Sequence, residues 1–425
     1  MNLAVCLLCI LLVPFATAGL ALIHQGLGRS RSAAHAMLAT LCAVAATAIV
    51  FVLIGSAWAG YTSGLAHTFQ FVGKKWDWLG AEPFFAANLR SSLLRSPYPA
   101  LVLALQMFAV GLASLIPISA GSDRWRLTAI CASSALFAGL IFPLFAHWVW
   151  GSGWLARLSP LFGLPAFADT GGAAVLQVVG GLTALSIAWI LGPRQGKYAD
   201  DTAAAIPGHN IVLVLFGCLL ALIGWIGLES AASMLFYGLN SVQIIVIAIN
   251  AMLCASGGCL AAVLITQLRY RKPDASLSAN GWIAGLVAGS AGCGLTSPLA
   301  TLFIGIVAGA LITILVETLE LKLFIDDPGG AISVHLGAGL WGLIAFGLFG
   351  PTTGSRAALL LTQFVGISTL LGVIFPLVHL GNLLLNKLAP FRVDADGDWQ
   401  GMDIRELGAG AYPEFVIHAD EFVPR

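Results

Sequence analysis

Five polar side chains lie inside or at the edge of long apolar stretches: Asp169, Gln177, Glu229, Asp327 and His335. A carboxylate in such surroundings can cap a helix or set the potential for a cation. A histidine ring can donate, accept and carry a proton near neutral pH, whereas a glutamine amide exchanges hydrogen bonds but holds no proton. Four of the five belong to two copies of one motif. Asp169-Thr-Gly-Gly-Ala-Ala-Val-Leu-Gln177-Val-Val-Gly-Gly181-Leu182 matches Asp327-Pro-Gly-Gly-Ala-Ile-Ser-Val-His335-Leu-Gly-Ala-Gly339-Leu340 at a constant offset of 158, with six of fourteen positions identical. In each copy the aspartate precedes a new apolar run, and Pro328 occupies a first helical position, where its missing N–H costs nothing. Both aspartates therefore fit as helix N-caps; a buried carboxylate that attracts a cation fits them as well. Eight residues on, about 12 Å up a helix, comes one polar side chain, Gln177 in one copy and His335 in the other. Equivalent positions of a repeat face a common pseudo-axis, so the two are expected to line one path.

These side chains need a scaffold, and composition names it. Of 425 residues 59% are hydrophobic and 9% charged, with 20 basic and 20 acidic side chains cancelling. That excludes a soluble domain, a disordered chain, a basic nucleic-acid binder and a disulfide scaffold. Roughly 250 apolar residues, at about 20 per crossing, suffice for about eleven or twelve helices. Eleven stretches are long enough: 3–24, 36–58, 98–120, 127–150, 173–192, 210–228, 239–267, 279–297, 298–318, 332–350 and 357–386. The expectation is an all-α polytopic membrane protein with eleven transmembrane helices. The first stretch lacks the basic segment that opens a signal peptide and continues to Ile23, so it reads as a crossing, with a cleaved signal as the alternative. Twelve Lys and Arg fall on one side of this arrangement, from Arg29 to Arg392, against six on the other, which predicts the N-terminus outside and the C-terminus in the cytoplasm.

The motif copies open the fifth and tenth stretches. Five crossings apart means opposite direction, the sign of an inverted repeat. It divides the transmembrane domain 1–388 into repeat one, about 1–195, repeat two, about 205–350, and a last helix near 357–386; a cytoplasmic tail, 389–425, follows. Nothing catalytic accompanies it, neither a phosphate loop nor a nucleophile–histidine–acid set, so an enzyme and a bound cofactor are not expected. The histidines at 24, 35, 67, 147, 209, 335, 379 and 418 are scattered, and no metal cluster is expected. All eight cysteines lie in apolar runs and read as packing residues, Cys6 and Cys9 included despite their C-x-x-C spacing.

Longer segments carry a resemblance: Ala146-His-Trp-Val-Trp150-Gly-Ser-Gly-Trp-Leu-Ala, Gly208-His-Asn-Ile, Ile223-Gly-Trp225-Ile-Gly-Leu228, Asn280-Gly-Trp-Ile-Ala-Gly-Leu-Val-Ala, Ile325-Asp-Asp-Pro-Gly-Gly-Ala-Ile-Ser-Val-His335, and in the tail Gln400-Gly-Met-Asp403-Ile with Gly408 and Ala411-Tyr412. In order and spacing the chain resembles the ammonium transporter family, the Amt, Mep and Rh proteins. The resemblance implies a homotrimer with one narrow apolar pore per subunit, through which ammonium passes as ammonia after losing its proton. It assigns Trp150 to the external cation site, Asp169 to the carboxylate behind it, and Phe108, Leu228, Gln177, His335 and Trp225 to the pore lining. It also implies a PII-type signalling protein as a partner at the cytoplasmic face.

Several positions depart from the family pattern. Gln177 stands where the first of two pore histidines is usual, although the spacing from Gly171-Gly172 would put Leu176 there. Leu228 replaces a gate phenylalanine, Phe108 follows a segment one residue short, Ala232 replaces a serine of the cation site, and Glu229 replaces an asparagine beside it. Leu407 stands where the tail usually has a histidine, and Asp394, Asp396, Asp398 and Arg405 read as a solvated charged strip. Three functions stay open: a channel for ammonium or ammonia, a transport-poor ammonium sensor, and a neutral-gas pore.

Overall fold

The computed structural model describes residues 2–61, 66–199 and 202–412; the tail from 413 onward, including His418, lies outside the described residues. Among the described residues ten helices are long and apolar enough to cross a membrane. They are α1 (Leu3–Leu27), α2 (Ser30–Ala59), α3 (Tyr98–Ala120), α4 (Leu127–Val149), α5 (Ala173–Leu191), α6 (Ile211–Phe236), α7 (Gln243–Tyr270), α9 (Pro298–Leu321), α10 (Ile332–Phe349) and α11 (Arg356–Leu388). Between α7 and α9 runs a shorter helix, α8 (Ala275–Gly289), of 15 residues. At 1.5 Å per residue it is about 22 Å long, short of a 30 Å hydrocarbon core. The stretch expected at 279–297 thus starts earlier and stops sooner, because Ser290–Gly292 tightens into a 3₁₀ turn. Asn250 pins the chain beyond it by donating to the carbonyls of Cys293 (2.8 Å) and Thr296 (3.0 Å).

The chain is an all-helical polytopic membrane protein. Leu41, Leu260 and Leu299 are more than 60% exposed on its outside, as lipid contact requires. Inside, glycine sets the helix spacing, since van der Waals packing replaces the hydrophobic effect in lipid. A Cβ on Gly305 or Gly309 of α9 would meet the carbonyl oxygens of Cys254 and Gly258 on α7 at 2.2 and 2.0 Å. From the other side, a Cβ on Gly285 or Gly281 of α8 would meet the same two carbonyls at 2.1 and 2.5 Å. Helix α7 is held backbone to backbone between its neighbours.

The helices carry two short antiparallel strand pairs among the described residues, the smaller being Tyr198–Ala199 with Thr202–Ala203. The loop between α2 and α3 forms a hairpin, β1 (Ala66–Phe71) and β2 (Lys74–Gly80), turning at Val72 and Gly73 with φ of 51° and 69°. Two positive φ values give the turn whose twist suits a two-residue hairpin. Trp76 and Trp78 of β2 pack on Trp154 and Trp148, at centroid distances of 5.6 and 4.8 Å. His147 fastens the same hairpin through Nε2 to Asp77 Oδ1 (2.8 Å), a positioning role.

The opposite end of the bundle is polar and ion-paired. Arg194 embraces Asp326 through Nε (2.9 Å) and Nη2 (3.0 Å) and reaches Asp123 through Nη1 (3.0 Å). The tail closes over this end. Asp398, read above as part of a solvated strip, is 1% exposed and pairs with Arg29 (3.4 Å) and Arg392 (2.9 Å), so it belongs to the interior; Asp396 is exposed. Glu406 takes hydrogen bonds from His35 (3.0 Å) and the Leu127 amide (2.8 Å), and Tyr412 lies 3.1 Å from His209 Nε2.

Candidate functional site

The two motif copies fold alike. Gly172 and Gly330, at equivalent positions, both take positive φ (94° and 70°). Each is followed by a wide π-helical first turn, Ala173–Val178 and Ile332–Gly337. Each aspartate caps its helix. Asp169 accepts from the amides of Gly172 (3.0 Å), Ala174 (2.8 Å) and Val175 (2.9 Å), and Asp327 from Ala331 (3.0 Å) and Ile332 (2.7 Å). The capping reading is thus realised in both copies.

Above the caps α5 and α10 cross reciprocally. A Cβ on Gly181 would meet the Leu336 amide at 2.5 Å, and one on Gly339 would meet a Val178 methyl at 2.6 Å. Residue 336 is the repeat equivalent of 178, so the contact is self-complementary, as about a local two-fold axis. At this crossing the equivalent polar side chains meet: His335 Nδ1 donates to Gln177 Oε1 at 2.7 Å, both residues at most 2% exposed. Since Nδ1 carries the hydrogen, the ring's Nε2 keeps its lone pair. The Gln177 amide nitrogen has no protein partner among the described residues.

Trp150 ends α4 beside the Asp169 cap, with its Nε1–H donated to the Asp169 carbonyl (2.9 Å). Its ring stacks on Phe236, centroids 4.7 Å apart and planes 10° from parallel. Both rings line a cavity of about 80 Å³ with Tyr61, Glu82 and Tyr98. Glu82 is 5% exposed and accepts from Asn88 (2.9 Å). A carboxylate beside aromatic faces suits a small cation. Phe236 and Glu82 are the members the sequence reading missed. Helix α6 was expected to end at 228, where Glu229-Ser230 interrupts the apolar run, but it continues two turns to Phe236. The only available signal was the spacing Leu228, Ala232, Phe236, one face at every fourth residue. Leu228 and Ala232 are fully buried on that face.

Trp225 and Glu229, also four apart, turn instead toward α8. Ser290 Oγ accepts from Trp225 Nε1 (3.0 Å) and donates to Glu229 Oε1 (2.7 Å), while Glu229 Oε2 has no protein partner among the described residues. Phe108 is not brought to the column. With Pro14, Met37 and Leu41 it lines an apolar groove of about 350 Å³ between α1, α2 and α3. The turn of α3 that buries Leu105, Gln106 and Ala109 leaves Phe108 half-buried at the edge of that groove. At the ion-paired end, a cavity of about 530 Å³ is lined by Leu27, Arg194, Lys197, Asp326, Asp327 and Ser333. Among the described residues no three His, Cys, Asp or Glu side chains are grouped to hold a metal ion.

The sequence profile of the Ammonium Transporter Family matches residues 4–412. The chain belongs to the ammonium transporter family. Among the family's members, ammonium transporter Amt2 of Archaeoglobus fulgidus is 31% identical, over 98% of this chain and 89% of that protein. The ammonium transporter of Bacillus subtilis is 28% identical, over 96% and 97% of the two chains. Of solved family structures, a protein described as a sensor Amt protein superposes with a TM-score of 0.84 at 26% identity, covering 95% of this chain and 97% of that one. Mep2 of Candida albicans shares the fold, with a TM-score of 0.77 at 21% identity over 92% and 86% of the chains. The ammonium transporter family is made up of transporters, and this member is a multi-pass membrane protein.

Proposed function

We propose that the protein moves ammonium across a membrane by passing neutral ammonia through the column that holds Gln177 and His335. The observation that carries this reading is the buried 2.7 Å hydrogen bond between those side chains at the reciprocal crossing of α5 and α10. A bare ammonium ion would lose many kcal/mol of hydration in such surroundings, whereas ammonia can be handed along by one donor and one acceptor. Trp150 recruits the cation at the outer mouth, with Asp169 and Glu229 supplying negative potential nearby; cation–π attraction contributes roughly 0.5–2 kcal/mol. Ala232 leaves room beside them, and Leu228 and Trp225 keep the path narrow and apolar.

The same reading takes the chain as a 5+5 inverted repeat plus a final helix, with the N-terminus outside, the ion-paired end in the cytoplasm, a homotrimer in the cell membrane and a PII-type partner at the cytoplasmic face. The test is purified protein in proteoliposomes, with ammonium-evoked current and internal pH recorded together. A saturable ammonium-dependent signal above that of empty vesicles is expected, and its absence from a correctly assembled protein overturns the reading. A second function, a transport-poor ammonium sensor, draws support from the likeness to the sensor Amt protein and from Gln177, Leu228 and Ala232. It would show ammonium binding without flux. Ammonia passage without current would mark a neutral-gas pore.

A further inference from the structure

A proton relay through the Gln177–His335 column is interrupted, because only one of its two side chains can carry a proton. The fold supplies another ring. His24, near the end of α1, is 5% exposed, and its Nδ1 has no protein partner among the described residues. It lies close enough to His335 for the two rings to interact electrostatically. The surrounding geometry agrees. Leu27, one turn below His24 on the same face of α1, and Ser333, two residues before His335, both line the 530 Å³ cavity at the ion-paired end. Each of the two histidines is therefore within a turn of a residue that lines that cavity. Ser333 Oγ and Ser119 Oγ, each on a residue 1% exposed, likewise have no protein partner among the described residues. Ser119 approaches Gly329, and Gly329 approaches Leu27, so these polar atoms crowd one level of the molecule. Buried polar atoms at such a density are usually served by water. The lower end of α1 is fixed in place, since Gln25 bonds to His209 (3.2 Å) and Tyr412 (3.3 Å).

We propose that His24 is the second proton-carrying ring of this pore, taking over the part that Gln177 cannot play. The proposal rests on the transport reading above. An N–H bond of ammonium breaks as an N–H bond forms at His335 Nε2, and the electron pair stays on the departing ammonia. His335, held by Gln177 through Nδ1, passes a proton to His24, directly or through water. His24 releases it into the inner cavity, where ammonia is protonated again. Charge and atoms balance, and one proton accompanies each ammonia by a separate route.

The experiment measures charge moved per ammonia moved, from simultaneous current and internal pH in proteoliposomes, for wild type, His24→Gln, and His24→Gln with Gln177→His. The expected result is at least a tenfold fall in that ratio for His24→Gln and recovery in the double variant, which has two rings again. A ratio unchanged in His24→Gln overturns the proposal and leaves the transport reading standing; a wild type that passes ammonia without charge overturns the proposal and marks the neutral-gas pore instead. A wild type that passes neither overturns both. Should His24→Gln fail to assemble, wild-type protein with ¹⁵N-labelled histidine decides by solid-state NMR. The His24 ring must exchange between neutral and charged forms when ammonium chloride is added, and a ring that stays in one form overturns the relay.

Discussion

At the residue scale, the register of the site was legible because the repeat wrote it twice. Asp169 with Asp327, Gly172 with Gly330, and Gln177 with His335 were paired by sequence offset, and the folded chain gives each pair one conformation or one contact. What the offset could not convey is which way a side chain on a single helix turns. Phe108 matched a gate position by type, yet one residue fewer before it rotates it about 100° around α3 and into the outer groove. Phe236 was hidden because polar Glu229-Ser230 looks like a helix end, although both residues are buried within α6. The capping geometry yields a prediction of its own. Asp169→Ala strips the acceptor from three buried backbone amides, each bond being worth about 1–1.5 kcal/mol net, for a loss of about 3–4 kcal/mol. The Tm of the detergent-solubilised protein should fall clearly below that of wild type; a Tm within error of wild type would show that the cap is dispensable.

Elements were placed well by hydropathy wherever an apolar run was bounded by charge or proline, as for α3 at Tyr98–Ala120 and α9 from Pro298. They were placed poorly where polar and small residues alternate. Helix α8 shows why: the run to 297 is apolar in composition, but Ser290-Ala-Gly tightens from α-helix into a 3₁₀ turn. The hairpin was missed because hydropathy windows report crossings, while its signal was a two-residue turn, Val72-Gly73. Glycines at 258, 281, 285, 305 and 309 gave no sequence sign of their partners, yet they fix how closely α7, α8 and α9 approach. Gly309→Val should therefore act at the level of helices. With an added Cβ 2.0 Å from the Gly258 carbonyl, α7 and α9 must separate. The expected outcome is loss of monodisperse protein on size exclusion, whereas valine at exposed Gly354, where a Cβ meets nothing within 4 Å, should leave the elution profile unchanged.

For the whole molecule, the ion-paired end is the clamp that ties loops and tail together. Positive-side counting anticipated where its arginines gather but not their partners, because Asp123, Asp326 and Asp398 come from distant segments. Burial alone would raise the Asp326 carboxyl; Arg124 and Arg194 outweigh it and hold the group down at about 2. A carboxyl lowered from 3.8 contributes about 2 kcal/mol that is fully present above pH 4 and is lost as pH falls toward 2. The Tm should drop over that interval in wild type, with a weaker dependence in Asp326→Asn. Arg194→Ala leaves Asp326 and Asp123 short of a partner and should cost about 3–5 kcal/mol at neutral pH; a change under about 1 kcal/mol would mean that Arg124 and Arg29 suffice.

The same clamp imposes an order on biosynthesis. Arg29 and the Asp398 that pairs with it are 369 residues apart. At a translation rate of about 5–20 residues per second, the arginine waits roughly 20–70 s for its carboxylate. Asp123, 3.8 Å from Arg29 in the folded chain, emerges far sooner and gives the arginine a first partner, able to hold its loop on one side while later helices insert. Only the finished chain converts that temporary anchor into a closed contact, so a nascent protein arrested before residue 398 should have all its crossings and still lack the seal on its charged end.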